Sequence, residues 1–409
     1  MSSYKLTTDK RIVGIVAEYN PFHNGHLYHL KRALELTDAF GSVAVMSGNF
    51  VQRGEPALID KWRRAETAVR NGVDLVLELP FLYAAGSAEY FASGAVRLLD
   101  ALACVTHVAF GCEEGELAPL AEAANVLAAE PPAFKEGLRD ALSAGRSFPR
   151  ARAEGLRRAA GDAQARLLDL PNNILAIEYL KQLTLTKSRI EPVAVKRAGA
   201  GYFDADPCVR IAGASAIRDM LLTGRKDEAL VYLPRGGADT AVFQSFDRYF
   251  TLIAAVARLR SREELHEIMS ASEGIENCLI RALDGASDMP ALIAAVKSAR
   301  YTETRVRRFL LHTLFGVTRG KFAESDAAWP GYARVLALSE RGGEILRIVK
   351  AYANIPVVTN MNKQRPGAPV AALLDLDVRA ADIYNLMGAG SMHERSDHRM
   401  RPFLFLNPV

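Results

Sequence analysis

Cysteine is scarce in this chain: four residues, Cys104, Cys112, Cys208 and Cys278, with no C-x-x-C pair and no metal-ligand spacing. That scarcity excludes a disulfide scaffold and a zinc module, and fits reduced thiols in a cytoplasmic protein. Long apolar runs are missing as well. None approaches the ~18 residues that span a bilayer, and no signal-like apolar stretch precedes the first strand-like segment. A cytoplasmic protein without a membrane partner is therefore expected. Charge of one sign is not in large excess either: 51 Lys and Arg against 47 Asp and Glu leave +4. This permits a polyanionic partner without requiring one. Internal repeats, heptads and low-complexity tracts are absent, which excludes solenoids and coiled coils. Nothing implies a protein partner.

What is present is ordinary globular composition, 49% hydrophobic and 24% charged over 409 residues, enough for two or three domains. The N-terminal half alternates β-branched runs with helical periodicity, the pattern of a parallel α/β sheet. Residues 11–18 (RIVGIVAE), 42–46 (SVAVM), 74–79 (DLVLEL), 106–110 (THVAF) and 192–197 (PVAVKR) read as strands. Helical spacing covers 26–37. Asp60 caps a helix that Gly72 ends, and Ser87 caps another through Leu102. The Ala-, Glu- and Arg-rich stretch of about 116–165 reads as a helical insertion. Further helices begin near Asn172 and at Ser215, and from 224 to about 355 the pattern is nearly all helical. A short strand at 356–359 and a helix at 380–387 follow. The expected architecture is α/β: a Rossmann-like parallel sheet over residues 1–225, interrupted by the insertion, then a mainly α-helical domain over 226–409.

The chemistry concentrates where the first strand ends. It delivers the chain into Glu18-Tyr19-Asn20-Pro21-Phe22-His23-Asn24-Gly25-His26 and then directly into a helix. In an open parallel sheet, ligands bind at the carboxyl ends of the strands near the first crossover. A helix N-terminus there is expected to offer unpaired backbone N–H groups and a positive dipole to a phosphate. Gly25 lets backbone approach, and His23 and His26 can both face the phosphates. Such a site stabilises charge on an α-phosphate and a departing pyrophosphate, the main requirement of nucleotidyl transfer. Residues 211–218 (IAGASAIR) add a second element, with a hydroxyl at Ser215 and a guanidinium at Arg218. Other positions read two ways. Gly111 is either a contact for adenine or ribose, or an ordinary strand-end glycine. Asn172 reaches a nucleotide or caps a helix. Lys196 and Arg197 bind phosphate or line a solvated edge. The polar loop at 47–56 covers a second substrate or is a long turn, and Asp60, Lys61 and Arg64 behind it are not ranked.

The strings 18–29 (EYNPFHNGHLYH), 46–56 (MSGNFVQRGEP), 74–81 (DLVLELPF), 170–180 (LPNNILAIEYL), 196–202 (KRAGAGY) and 272–277 (SEGIEN) closely resemble the tRNA(Met) cytidine acetate ligase family. The likeness runs over nearly the whole chain. It implies a nucleotidyltransferase catalytic domain that joins acetate to ATP as acetyl-adenylate. The acetyl group then passes to N4 of the wobble cytidine of elongator tRNA(Met). By the same resemblance the ATP contacts are Val16, Ala17, Glu18, Tyr19, Asn20, Pro21, Phe22, His23, Asn24, Gly25, His26, Leu27, Tyr28 and His29, with Gly111, Asn172 and Arg197. The sequence departs from the family pattern at Phe203, at Gly213 and Ala214, and at Cys278. None of these touches the histidine motif. Magnesium is expected with ATP, held mainly by phosphates and water, because no ligand cluster is visible.

Residues 291–360 carry eleven Lys and Arg against five acids. Arg300, Arg305, Arg308 and Lys350 are the chosen RNA contacts, with Arg319, Lys321, Arg334 and Arg347 in the same basic stretch. Residues 363–365 (KQR) and 393–401 (HERSDHRMR) are tRNA contacts or plain surface loop. Two other functions compete: a small-molecule nucleotidyltransferase, and a non-catalytic RNA-binding protein with a relict nucleotide fold.

Overall fold

The computed structural model describes residues 10–113, 115–197, 210–238, 242–364, 366–368, 370–389 and 396–406. The aliphatic runs become the strands β1 (Ile12–Ala17), β2 (Gly41–Ser47), β5 (Leu75–Leu79), β6 (His107–Cys112) and β7 (Glu191–Lys196), with a small hairpin of β3 (Phe50–Val51) and β4 (Glu55–Pro56) after β2. The chain later adds β8 (Ala333–Ser339), β9 (Val357–Val358) and β10 (Phe403–Phe405). All but the hairpin form one sheet in the order β10-β8-β5-β2-β1-β6-β7, with β9 on β8. Every residue of β2 and β5 is buried, as expected of parallel strands covered on both faces.

β1 pairs in parallel with β2 on one side and β6 on the other, and β8 runs antiparallel to β5. The chain therefore winds outward through β2 and β5, then returns across β1 to build β6 and β7. The reversal opens a crevice at the carboxyl ends of β1 and β6, where α/β sheets bind ligands.

Local chemistry sets the helix ends. Asp60 caps the Lys61–Arg70 helix by accepting from the N–H groups of Trp62 and Arg63. Gly72 follows with φ +104, a conformation that favours glycine. Ser87 caps the Ala88–Ala101 helix. The insertion is three main helices, Leu117–Ala129, Pro132–Ser143 and Phe148–Ala160. The last helix is longer than its periodicity suggested, Val370–Ala389 rather than 380–387.

The expected division at residue 225 needs correction. Residues beyond it contribute β8, β9 and β10 to the same sheet, and one apolar cluster runs from Ile12 through Val335 to Tyr384. Arg334 is the reason β8 escaped notice. A charged residue in ARVLALS gives the segment the look of an amphipathic helix, yet Arg334 is 2% exposed and is neutralised by residues distant in sequence.

Candidate functional site

At the end of β1 the chain turns through Tyr19, with φ 47, into the Asn24–Thr37 helix. The two motif histidines cap that helix. His23 Nδ1 accepts from the Gly25 N–H at 3.0 Å, and His26 Nδ1 accepts from the His23 N–H at 3.2 Å. Their rings stack at 3.8 Å. Because each Nδ1 is an acceptor, the neutral tautomer of each ring carries its hydrogen on Nε2. Burial, then Arg197 and Arg218, push the His23 imidazole down to about 4. Burial, then its histidine neighbours, hold His26 well below the ordinary value, and burial with Arg197 lowers His29 to about 4. Near neutral pH these are uncharged rings in a site whose positive charge comes from Arg197 and Arg218.

The helix tip differs from expectation. Its first N–H groups are not free: Asn24 N–H donates to Tyr232 O at 2.9 Å, Gly25 N–H to His23, and the His26 and Leu27 N–H groups to His23 O. The capping histidines and the segment after residue 225 have taken the backbone donors. What remains for an anion is the helix dipole and the side chains. Asn24 also turns away from phosphate duty, since its Nδ2 donates to Arg210 O at 2.9 Å and to Val231 O at 3.2 Å.

Arg218 comes to the motif from the Ala214–Leu222 helix. It donates to Asn20 O at 3.0 Å and to Ser215 Oγ at 3.3 Å, and lies 3.5 Å from Glu55. Gly213 is the cap residue of that helix, so Ser215 sits inside its first turn. Arg197 follows β7, its N–H bonded to Cys112 O at 3.0 Å. A Cβ placed on Gly111 would lie 3.7 Å from Arg197 Cγ and 3.9 Å from His29 Cδ2, so these three meet at one edge. Asn172 is not a cap; the Pro171–Thr186 helix is capped by Leu170, and Asn172 Nδ2 donates to Glu113 Oε1 at 2.7 Å. Glu18, Tyr19, Asn20 and Phe22 shape the turn. Burial raises the Glu18 carboxyl while the Gln52 N–H and then Arg218 pull it down. Phe203 lies outside the described residues.

The loop residues that sequence left unranked separate clearly. Arg64 is 2% exposed and donates to the carbonyls of Ile59, Glu18, Ser47 and Gly48, pinning the ends of β1 and β2 together. Lys61 is fully buried, with Nζ 2.7 Å from Glu78 and 2.8 Å from Asp397. Arg334 lies 3.0 Å from Glu78 and 2.7 Å from Asp397, completing a charge-balanced, closed four-residue ion cluster in which Arg334 Nη2 and Asp397 Oδ1 keep no hydrogen-bond partner. Burial acts to raise the Asp397 carboxyl, but Arg334 and Lys61 outweigh it and hold it below the usual range. A glutamate in the apolar run DLVLEL was the available signal for this cluster; its partners were too remote to read.

The basic stretch also sorts itself. Arg334 is internal, as above. Arg308 donates to Gln52 O at 3.2 Å, and burial pushes its guanidinium down to about 10. Gly54 of the β3–β4 hairpin packs on the backbone of Arg307 and Arg308, which covers part of that face of the Glu303–Phe315 helix and leaves Arg308 half-buried. Arg305 is paired with Glu273 at 2.9 Å, and Arg319 donates to His266 O at 2.7 Å. Arg300, Arg347 and Lys350 are exposed. Lys363 and His398 lie in described loops, whereas Arg365 and residues 393–395 fall outside the described residues. No helix among those described is long and apolar enough to cross a membrane.

The model of a family described as HIGH Nucleotidyl Transferase matches residues 10–399. A tRNA(Met) cytidine acetate ligase of Caldanaerobacter subterraneus is 40% identical over 386 residues, covering 91% of this chain and 94% of that protein. One from Clostridium perfringens is 39% identical over 406 residues, covering 96% and 99%. Among solved structures, Thermotoga maritima TmcAL bound with alpha-thio ATP superposes with a TM-score of 0.89 at 33% identity, covering 97% of this chain and all (100%) of that one.

Proposed function

Since the chain belongs to the tRNA(Met) cytidine acetate ligases within the HIGH nucleotidyl transferase family, we propose that it joins acetate to ATP and passes the acetyl group to N4 of the wobble cytidine of elongator tRNA(Met). The observation that carries this reading is the stacked pair of neutral imidazoles at the tip of β1, flanked by Arg197 and Arg218. ATP is the nucleotide such a site serves, and the relative bound with alpha-thio ATP supports that choice.

Each side chain has a role in the chemistry. His23 and His26 donate Nε2–H hydrogen bonds without carrying charge. They can therefore follow the shift of charge from the α-phosphate to the departing pyrophosphate, while Arg197 and Arg218 supply fixed positive charge. An acetate oxygen attacks the α-phosphorus, the bond to the β-phosphate oxygen breaks, and pyrophosphate leaves with its electron pair. The cytidine amine then attacks the acetyl carbon, the carbon–oxygen bond to AMP breaks, and the amine proton passes to solvent. Arg64 acts by position, fixing the ends of β1 and β2 on which the histidines stand.

The described side chains do not fit a protein-held metal, since no group of three or more His, Cys, Asp or Glu is placed to hold one. Magnesium accompanies the triphosphate on phosphate oxygens and water, and no step depends on a protein ligand to it. The exposed arginines and lysine at Arg300, Arg347 and Lys350 are the groups left free to meet tRNA phosphates. Catalysis is assigned to residues 10–225 together with the strands β8 and β10 that complete their sheet, and tRNA binding to the helices between.

The decisive experiment is pyrophosphate exchange into ATP with and without acetate, followed by mass spectrometry of elongator tRNA(Met) after incubation with ATP and labelled acetate. Acetate-dependent exchange and a labelled acetylcytidine are expected. Exchange that proceeds equally with unrelated carboxylic acids, or an unmodified tRNA, would overturn the reading.

A further inference from the structure

Two buried polar atoms at the β6 side of the crevice have no hydrogen-bond partner, and they sit together where β6 meets the Pro171–Thr186 helix. Glu113 follows β6 directly. Its Oε1 accepts from Asn172 Nδ2 at 2.7 Å, and its backbone N–H donates to Asn173 Oδ1 at 3.3 Å. The other oxygen, Oε2, and the other amide atom, Asn173 Nδ2, are buried and unpartnered. Asn173 is only 1% exposed. A buried acceptor on a carboxylate is among the most costly groups to leave unpaired, and a free amide donor beside it adds to the cost. Each asparagine spends one amide atom on Glu113, which leaves Glu113 Oε2 and Asn173 Nδ2 unspent.

Position decides what such a pair can receive. Gly111, two residues earlier on the same strand, is the point where Arg197 and His29 converge. The positive charge therefore gathers on the β1 and β7 sides, and a carboxylate at Glu113 would repel a phosphate. What it can accept from is the uncharged end of the nucleotide.

We propose that Glu113, oriented by Asn172 and joined by Asn173, reads the nucleoside: its Oε2 accepts a hydrogen bond from adenosine, donated by the purine 6-amino group or by a ribose hydroxyl. The assignment rests on the ATP reading above and adds a specificity-determining residue to it. Asn173 Nδ2 supplies the complementary donor, for purine N1 or a hydroxyl oxygen. An acceptor beside a donor matches the edge of adenine and opposes that of a 6-oxopurine.

The test uses the full-length chain and equilibrium binding of ATP, ITP and 2′-deoxyATP to wild type, Glu113→Ala and Glu113→Gln. Asn172 must donate to residue 113, so a glutamine there turns its carbonyl toward Asn172 and its amide toward the ligand. If the partner is the 6-amino group, wild type prefers ATP over ITP by about ten-fold or more, Glu113→Ala erases the preference and Glu113→Gln reverses it. If the partner is a ribose hydroxyl, wild type prefers ATP over 2′-deoxyATP to a similar degree. Glu113→Ala then erases that preference, but Glu113→Gln keeps most of it, since a hydroxyl accepts as readily as it donates. Either pattern supports the proposal. Wild type that discriminates neither analogue, or variants whose ratios both stay within about two-fold of wild type, overturns it. Should the alanine variant fail to fold, the isosteric glutamine variant, which keeps the Asn172 bond, carries the decision. Wild type that binds no ATP at all removes the premise, whereas wild type that binds ATP while Glu113 proves irrelevant leaves the premise standing and defeats only this assignment.

Discussion

Two charged regions stand along the same edge of the sheet, and they handle their charge in opposite ways. Around β5 and β8, Lys61 and Arg334 face Glu78 and Asp397, two cations and two anions closed upon one another with at most 2% exposure. Around β1, β6 and β7, Arg197 and Arg218 face histidines that burial keeps neutral; Arg218 lies beside Glu55, whereas Arg197 is exposed. The first region has spent its charges on itself and can hold only structure. In the second, Arg197 has no ion-pair partner among the described residues, and a polyanion is what would balance it. A charge thus points to a ligand when no opposite charge of the fold stands beside it.

The largest effect should come from breaking the closed cluster. Lys61→Ala leaves Glu78 and Asp397 sharing one cation, and a loss of about 3–5 kcal/mol in unfolding free energy is expected. Denaturant unfolding checks it; a change below about 1 kcal/mol would show that the cluster is not the closed unit described. The open site should respond in rate. His26→Ala should lower acetate-dependent exchange by about 10²–10³-fold while tRNA binding stays nearly intact, and retained exchange would remove the histidine from the chemistry.

The neutral histidines give the comparison a pH axis. Their folded values near 4 lie below the ordinary 6.5, so as pH falls the unfolded chain takes up protons first. Their contribution is fully present above about pH 6.5, declines toward pH 4 and is level below that, a loss of up to about 3 kcal/mol per ring. Thermal melts from pH 7.5 downward should show this slope, and His29→Gln should flatten it; an unchanged slope would mean the ring is not held neutral. The smallest effect belongs to the exposed cations. Neutralising Arg300 and Lys350 together should weaken tRNA binding several-fold and reduce its log–log salt slope by about 2. Exchange without tRNA should not change, and an unaltered salt slope would move the RNA surface elsewhere.

The same contrast explains what was legible in the sequence. β1, β2, β5, β6 and β7 were visible because short aliphatic runs alternate with helices that carry clear caps at Asp60 and Ser87, and Pro80 stops β5; β6 runs past Gly111 to Cys112. The histidine motif was legible because its geometry is local: cap, glycine and cap partner lie within four residues. β8 was not, since Arg334 makes sense only beside Asp397, and β10 is three residues long. The contact of Arg308 with the β3–β4 hairpin is hidden for the same reason, because nothing nearby in sequence announces it. Glu113 belongs to no motif, and Asn173, though inside the string 170–180, has no role that its neighbours in sequence announce. Their meaning arises only when the end of β6 docks against a helix that starts some sixty residues later.

The bond between Lys61 and Asp397 joins residues 336 apart, and this fixes an order of events during synthesis. When the ribosome has released β1 to β7, the strands that carry the histidines exist, but Lys61, bound for the interior, has only Glu78 to meet it. The edge of the sheet around β5 cannot balance its buried charge until Arg334 and Asp397 have followed, so this part of the interior closes only after β8 and the segment before β10 are in place.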